Sequence, residues 1–297
     1  MTTSTTRFRG SMVALATPFA DGAIDWKAFG AMIERQIAGG SAALVPCGSS
    51  GEAATLTHEE HTEVVRFVVE RARGRVPVIA GTGSNATAEA VRLTREAKAA
   101  GAAAALMISP YYNRPTQEGL KLHYLRVADE ADLPIILYNI PGRTGRAIAA
   151  ATVAELAQHP NIIGLKESDA LDHTLDVLHA VPADFAIYAG DDSTTLTVIA
   201  NGGAGVITTI GNLVPREMAD LAEAALAGDY VRARALQTRL FPLMRAAFTE
   251  VNPIPLKHGH ALLGLCRDEL RLPLVAMTDP GRRAALAAAL RDLGALE

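Results

Sequence analysis

The chain has 297 residues, 49% of them hydrophobic, and a formal net charge of -4 at pH 7. That length suits one large α/β barrel or two ordinary domains, and the apolar content suffices for a sizeable core. Lys and Arg are scattered with no basic block, so nucleic-acid binding is not indicated, and no run reaches the roughly 18 apolar residues of a membrane span.

The polar stretch at residues 1–10 (MTTSTTRFRG) lacks the apolar segment of a signal peptide. Eight short apolar runs follow, at residues 12–19, 43–48, 76–82, 104–110, 134–140, 162–168, 185–191 and 205–212. Each reads as a strand buried on both faces. Amphipathic stretches separate them, such as residues 57–73 and 87–101, the latter ending in Gly101 as a helix cap. Parallel strands need such crossovers, and eight units predict a (β/α)8 barrel over residues 1–227. A doubly wound sheet is the alternative. Residues 228–297 carry helical patterns and no strand, broken by the proline pair of NPIPLK (252–257), and read as a helical appendage. Cys47 and Cys266 stand far apart, which fits a reducing cytoplasm and no disulfide framework.

Chemistry in such a barrel gathers at the C-terminal ends of the strands. There lie Ser49 and Ser50 (GSSGE), Tyr111 and Tyr112 (PYYNRP), Tyr138 with Arg143 (PGRTG), Lys166 (GLKES), the pair Asp191–Asp192, and Ile207. Lys166 is one of only five lysines and ends an apolar strand. Alternation sets Gly164 on its face, with room beside it, and turns Ile163, Leu165 and Glu167 toward the helices. An amine withdrawn from water favours its neutral form, the form that attacks a carbonyl to make a Schiff base. The plainer reading is a lysine paired with a carboxylate at the barrel mouth. Phenols at Tyr138 and Tyr112 favour the imine, whose cycle needs protons relayed. The GSSGE turn offers hydroxyls and N–H groups for a carboxylate or phosphate, or simply caps a helix.

Other motifs carry less. GTGSNA (81–86) has the dinucleotide form but no acidic residue about 20 positions on. Asp191 and Asp192 could hold a metal, as in a metal-dependent aldolase, though helix capping is the better reading. His58 and His61 lack the zinc-protease spacing. Cys47 reads as a small buried residue rather than a nucleophile.

Taken together, GSSGEAATL, PYYNRPTQEGL, LYNIPGRTG, GLKES, GDDS and NPIPLK resemble the dihydrodipicolinate synthase / N-acetylneuraminate lyase family of Schiff-base pyruvate enzymes. The resemblance runs from about Gly10 to Gly264. PYYNRP, RTG and NPIPLK point within it to the branch that condenses pyruvate with aspartate 4-semialdehyde on the diaminopimelate route to lysine. It implies that Lys166 forms the imine and Tyr138 donates and accepts protons. Ser49 would link Tyr138 to Tyr112 from a neighbouring subunit. Ser50 and the backbone of Ile207 would hold the pyruvate carboxylate, and Arg143 that of the semialdehyde. It also implies a homotetramer without metal or other cofactor. An L-lysine inhibitor site would lie at a subunit interface away from the imine, at Ala53, Ala54, His58, His61, Asn85, Glu89 and Tyr111. Serines stand where that branch usually has threonines, which keeps the hydroxyls and loses the stiffening methyl. The rival readings are a sister aldolase cleaving a sialic or keto-sugar acid, a metal-dependent aldolase, and a non-catalytic keto-acid sensor.

Overall fold

A computed structural model describes residues 8–297; most of the signal-peptide reading, on residues 1–7, falls outside them. Among the described residues ten strands are formed: β1 (Gly10–Ala14), β2 (Phe19–Ala20), β3 (Ala23–Ile24), β4 (Ala43–Val45), β5 (Ile79–Gly81), β6 (Ala104–Ile108), β7 (Ile135–Asn139), β8 (Ile162–Glu167), β9 (Ala186–Ala189) and β10 (Gly205–Thr208). All but β2 and β3 join one parallel sheet in the order β4-β1-β10-β9-β8-β7-β6-β5. Its two ends meet through the Leu44–Val78 bridge, and Gly81 N–H donates to Pro46 O at 2.9 Å. The sheet thus closes as the expected (β/α)8 barrel.

Alternation sorts the strand residues into two cores. Met12, Val45, Ile79, Leu106, Ile136, Tyr138, Tyr188 and Ile207 fill the barrel interior. Val13, Leu44, Met107, Leu137, Leu165 and Val206 face the helices. Each buried aliphatic of this size contributes roughly 1.5–3 kcal/mol relative to exposure. Among the described residues, no helix is long and apolar enough to cross a membrane.

Local chemistry explains most helix ends. Thr57 and Glu60 exchange side-chain-to-backbone bonds as a capping box at the start of the helix His58–Ala72. The helix Thr87–Ala99 is capped by Ala100, and Gly101 takes a left-handed φ of +94° one position later than expected for the cap itself. The proline pair of NPIPLK opens the helix Ile254–Leu262 as well as separating it from Tyr230–Ala246. The helices Pro215–Leu226 and Tyr230–Ala246, on either side of residue 227, pack on each other.

Two expectations need correction. The first apolar run does not form one strand. Residues 10–14 enter the barrel, while Phe19–Ala20 pairs with Ala23–Ile24 as a separate antiparallel hairpin. Pro18 lies just before that hairpin and cannot donate to a ladder. Ile163 does not point to the helices. The β7–β8 register slips from Ile135↔Ile162 to Ile136↔Gly164, so Ile163 bulges and packs against the interior cluster.

Candidate active site

Lys166 and Tyr138 are register partners on β8 and β7, and both are buried. Lys166 Nζ lies 4.4 Å from the centroid of the Tyr138 ring. Among the described residues, no carboxylate pairs with that ammonium, so the plainer reading of a mouth ion pair does not hold. The expected space beside Gly164 is filled. A Cβ there would lie 3.2 Å from Tyr188 Cε2 and 2.6 Å from Ala186 O. Register sets Tyr188 opposite Lys166, and the ring leans over the glycine while its hydroxyl donates to Phe8 O at 3.0 Å. The glycine admits an aromatic wall rather than a cavity.

The turn after β4 folds on itself: Gly51 N–H and Ala53 N–H both donate to Gly48 O. The N–H groups of Ser49 and Ser50 have no protein acceptor among the described residues. Ser49 lines the cleft described below. Ser50 is buried, and its Oγ accepts a 2.9 Å bond from Asn252 Nδ2. Arg143, on the short helix Pro141–Thr144, donates to Asn252 O at 2.8 Å. Asn252 therefore joins the turn to the guanidinium. It stands in NPIPLK, and nothing local in that motif specifies the contact. Ile207 is buried in β10 beside Met12.

Ser49, Tyr138 and Arg143 line a cleft of about 590 Å³ that continues to Ala53, Ala54, His58, His61, Glu89 and Tyr111. Six of the seven expected inhibitor residues thus share a cleft wall with Ser49, Tyr138 and Arg143, while Lys166 is not on that wall. Asn85 is not on its wall; its carbonyl accepts from Asn113 Nδ2 at 2.9 Å. The His61 ring meets Gly81 O at 2.7 Å, and burial lowers its pKa, favouring the neutral imidazole. His58 faces Glu89 at 3.3 Å and is bonded to Arg92. The two adjacent tyrosines diverge. Tyr111 lines the cleft, while Tyr112, at a left-handed φ of +72°, is 90% exposed and is not brought to Ser49 or Tyr138 within the chain.

The remaining candidates have local partners. Asp191 accepts from Ser193 N–H and caps the turn Asp192–Thr194. Asp192 does not cap its own turn; it accepts from the N–H groups of Thr209 and Ile210, and burial pushes its carboxyl up to about 6. No group of three potential metal-ligating side chains occurs among the described residues. The Cys47 thiol is buried with its pKa raised by desolvation, and it contacts His61 O. Cys266 is also a free thiol.

One further feature of the turn carries no local signal in the sequence. Glu52 has a left-handed φ of +53°, and its carboxylate forms an ion pair with Lys257 at 3.0 Å, both side chains being fully buried. Lys257 also donates to Glu269 O at 2.9 Å, and Arg271 N–H donates to Glu52 at 3.1 Å.

The family model of the dihydrodipicolinate synthetase family matches residues 7–292. A 4-hydroxy-tetrahydrodipicolinate synthase of Pseudomonas putida is 48% identical over 289 residues, covering 97% of this chain and 99% of its own. The crystal structure of a chloride-inhibited dihydrodipicolinate synthase from Acinetobacter baumannii, complexed with pyruvate, superposes with a TM-score of 0.95 at 40% identity, over 97% of this chain and all of its own. The Cyanidioschyzon merolae enzyme, with lysine bound, gives 0.94 at 37% identity, over 97% and 99%. A closed eight-stranded barrel, a buried lysine beside a tyrosine at its mouth, and matches running almost end to end agree with one another: the chain belongs to the dihydrodipicolinate synthetase family.

Proposed function

We propose that this chain is a 4-hydroxy-tetrahydrodipicolinate synthase, condensing pyruvate with L-aspartate 4-semialdehyde in the diaminopimelate route to lysine. The observation that carries the reading is Lys166, buried against the Tyr138 ring without a carboxylate partner among the described residues. Its neutral amine attacks C2 of pyruvate and expels the ketone oxygen as water. Loss of a methyl proton from the imine gives an enamine, which adds to the aldehyde carbon. The amino group of the second substrate then displaces Lys166, closing the ring and freeing the enzyme. One water is released overall. The iminium supplies the electron sink, so the cycle needs no metal or other cofactor.

Tyr138 handles the protons, linked through Ser49 to Tyr112 of a neighbouring subunit; the exposure of Tyr112 supports a role outside its own chain. Ser50, the turn N–H groups and the backbone of Ile207 hold the pyruvate carboxylate. Arg143 holds the carboxylate of the semialdehyde. The assembly is a cytoplasmic homotetramer, with residues 1–227 as the catalytic barrel and 228–297 as its appendage. L-lysine binds at Ala53, Ala54, His58, His61, Asn85, Glu89 and Tyr111 and inhibits. The continuity of most of these residues with the catalytic cleft, and the lysine-bound relative, support this regulatory part.

The test is a coupled assay of pyruvate with aspartate semialdehyde, N-acetylmannosamine or glyceraldehyde. Preference for the semialdehyde is expected. Preference for either of the others would make the chain a sister aldolase, the reading that the Ser49–Ser50 pair leaves next in line. Chelator-sensitive activity would favour a metal-dependent aldolase, and binding of pyruvate without turnover of any aldehyde a sensor.

A further inference from the structure

Tyr138 and Lys166 are each followed by a polar residue, Asn139 and Glu167, and these two are register partners as well. The strand period turns them to the opposite side of the sheet from the phenol and the amine. Both are buried, the Glu167 side chain entirely. Asn139 Nδ2 donates to Glu167 Oε1 at 2.8 Å, spanning β7 and β8 directly behind the Tyr138–Lys166 pair.

The contact is braced on all sides. Asn139 Oδ1 accepts from Ile148 N–H at 3.0 Å, and Glu167 Oε1 accepts from Asp169 N–H at 2.8 Å. His173, on the helix Leu171–Ala180, meets Glu167 Oε2 with Nδ1 at 3.1 Å and Ile148 O with Nε2 at 2.9 Å. Both of its ring nitrogens face acceptors, so the arrangement is that of an imidazolium donating twice. Asn139, Glu167 and His173 together thus tie two strands to the segment after β7 and the helix after β8.

We propose that Asn139, Glu167 and His173 are positioning residues that set the approach of Lys166 to Tyr138, an inference that rests on the imine reading of Lys166. Backbone ladders already join β7 and β8, and an apolar pair would fill the same space without the desolvation cost of a carboxylate. What the polar cluster adds is direction. Its bonds fix the separation and twist of the two strands at the rung where amine, phenol and keto acid must meet. A displacement near 1 Å at such a rung can cost about 100-fold in rate.

Trapping the pyruvate imine with borohydride tests this. The final extent of label on Lys166 counts competent sites, and the rate constant reports their geometry. A merely structural role lowers the extent and the melting temperature but leaves the rate constant of folded sites alone. Asn139→Ala and Glu167→Ala are expected to lower that rate constant about 10- to 100-fold. Glu167→Gln keeps the acceptor for Asn139 and can donate to a neutral His173, so it is expected within about threefold of wild type. If Glu167→Ala does not fold, His173→Ala carries the test from the half-buried edge of the cluster, with an expected loss of about threefold or more. Wild-type rate constants in the alanine variants, or equal damage from Glu167→Gln and Glu167→Ala, would overturn the inference. Absence of label from wild-type Lys166 would instead remove the imine reading beneath it.

Discussion

Replacing Lys257 by methionine is expected to destabilise this protein strongly. Lys257 Nζ faces Glu52 at 3.0 Å with neither side chain exposed, and lies 4.3 Å from the Phe19 ring centroid. Methionine fills much of the volume but strands the Glu52 carboxylate beside a single backbone donor, Arg271 N–H. Leaving one buried partner uncompensated costs about 3–5 kcal/mol. At about 2 °C per kcal/mol for a chain of this size, the melting temperature should fall by roughly 6–10 °C. The double variant Glu52→Gln/Lys257→Met removes the stranded charge and keeps an acceptor for Arg271, so it should recover part of the loss. Coupling within such a pair is typically about 0.5–3 kcal/mol. Thermal and urea unfolding of the two singles and the double measure it. Additive losses would refute the argument, because they would mean that the two groups do not sense each other. Glu52 belongs to the turn carrying Ser49 and Ser50, so Lys257→Met should also raise KM for pyruvate in the fraction that remains folded.

Other outcomes can be checked alongside. Arg143→Ala should lower kcat/KM for the semialdehyde by roughly 10- to 150-fold, the worth of a charged hydrogen-bonded contact at about 1.5–3 kcal/mol, while imine trapping continues; equal loss in both steps would make Arg143 structural. Tyr112→Phe and Lys166→Ala subunits, each inactive alone, should regain activity in mixed oligomers, and no recovery in confirmed mixtures would count against a relay between subunits. Initial rates should fall with millimolar L-lysine in wild type and much less in Glu89→Ala, whose carboxylate is the partner for an ammonium; a flat response in wild type would remove the regulatory site and leave the catalytic one. Glu167, with Asp169 nearby, raises the pKa of His173 from 6.5, so its paired form stabilises the fold fully below that value and is lost as pH rises through the raised one. The melting-temperature gap between wild type and His173→Gln should therefore be wider near pH 6 than near pH 9, and a gap independent of pH would show that His173 does not titrate in this pairing.

Local pattern carried much of this protein. Continuous apolar runs separated by amphipathic stretches specify eight buried parallel strands, because strands covered on both faces have no polar side to show. The period of two then puts Lys166 and Tyr138 inside the barrel and Asn139 and Glu167 outside it. The capping box of Thr57 and Glu60 is a local device of the same kind, its donors and acceptors lying within four residues. The limits were local too: the run at residues 12–19 reads as one strand until Pro18 and the hairpin divide it.

What the sequence by itself could not decide is which distant residue meets which. Gly164 signals room, but only the β8–β9 register reveals that Tyr188 takes it. Glu52 reads as an ordinary acid after a glycine turn, and Lys257 as one cation of a C-terminal helix, until closure of the barrel buries them against each other. Asn252 joins Ser50 to Arg143 from a third part of the chain. Two adjacent tyrosines share one local environment in the sequence, yet a left-handed φ at Tyr112 sends that ring to solvent while Tyr111 lines the cleft. Periodicity encodes the side of a strand on which a residue falls. The partner it finds there is set by register and closure, which depend on the packing of the whole chain.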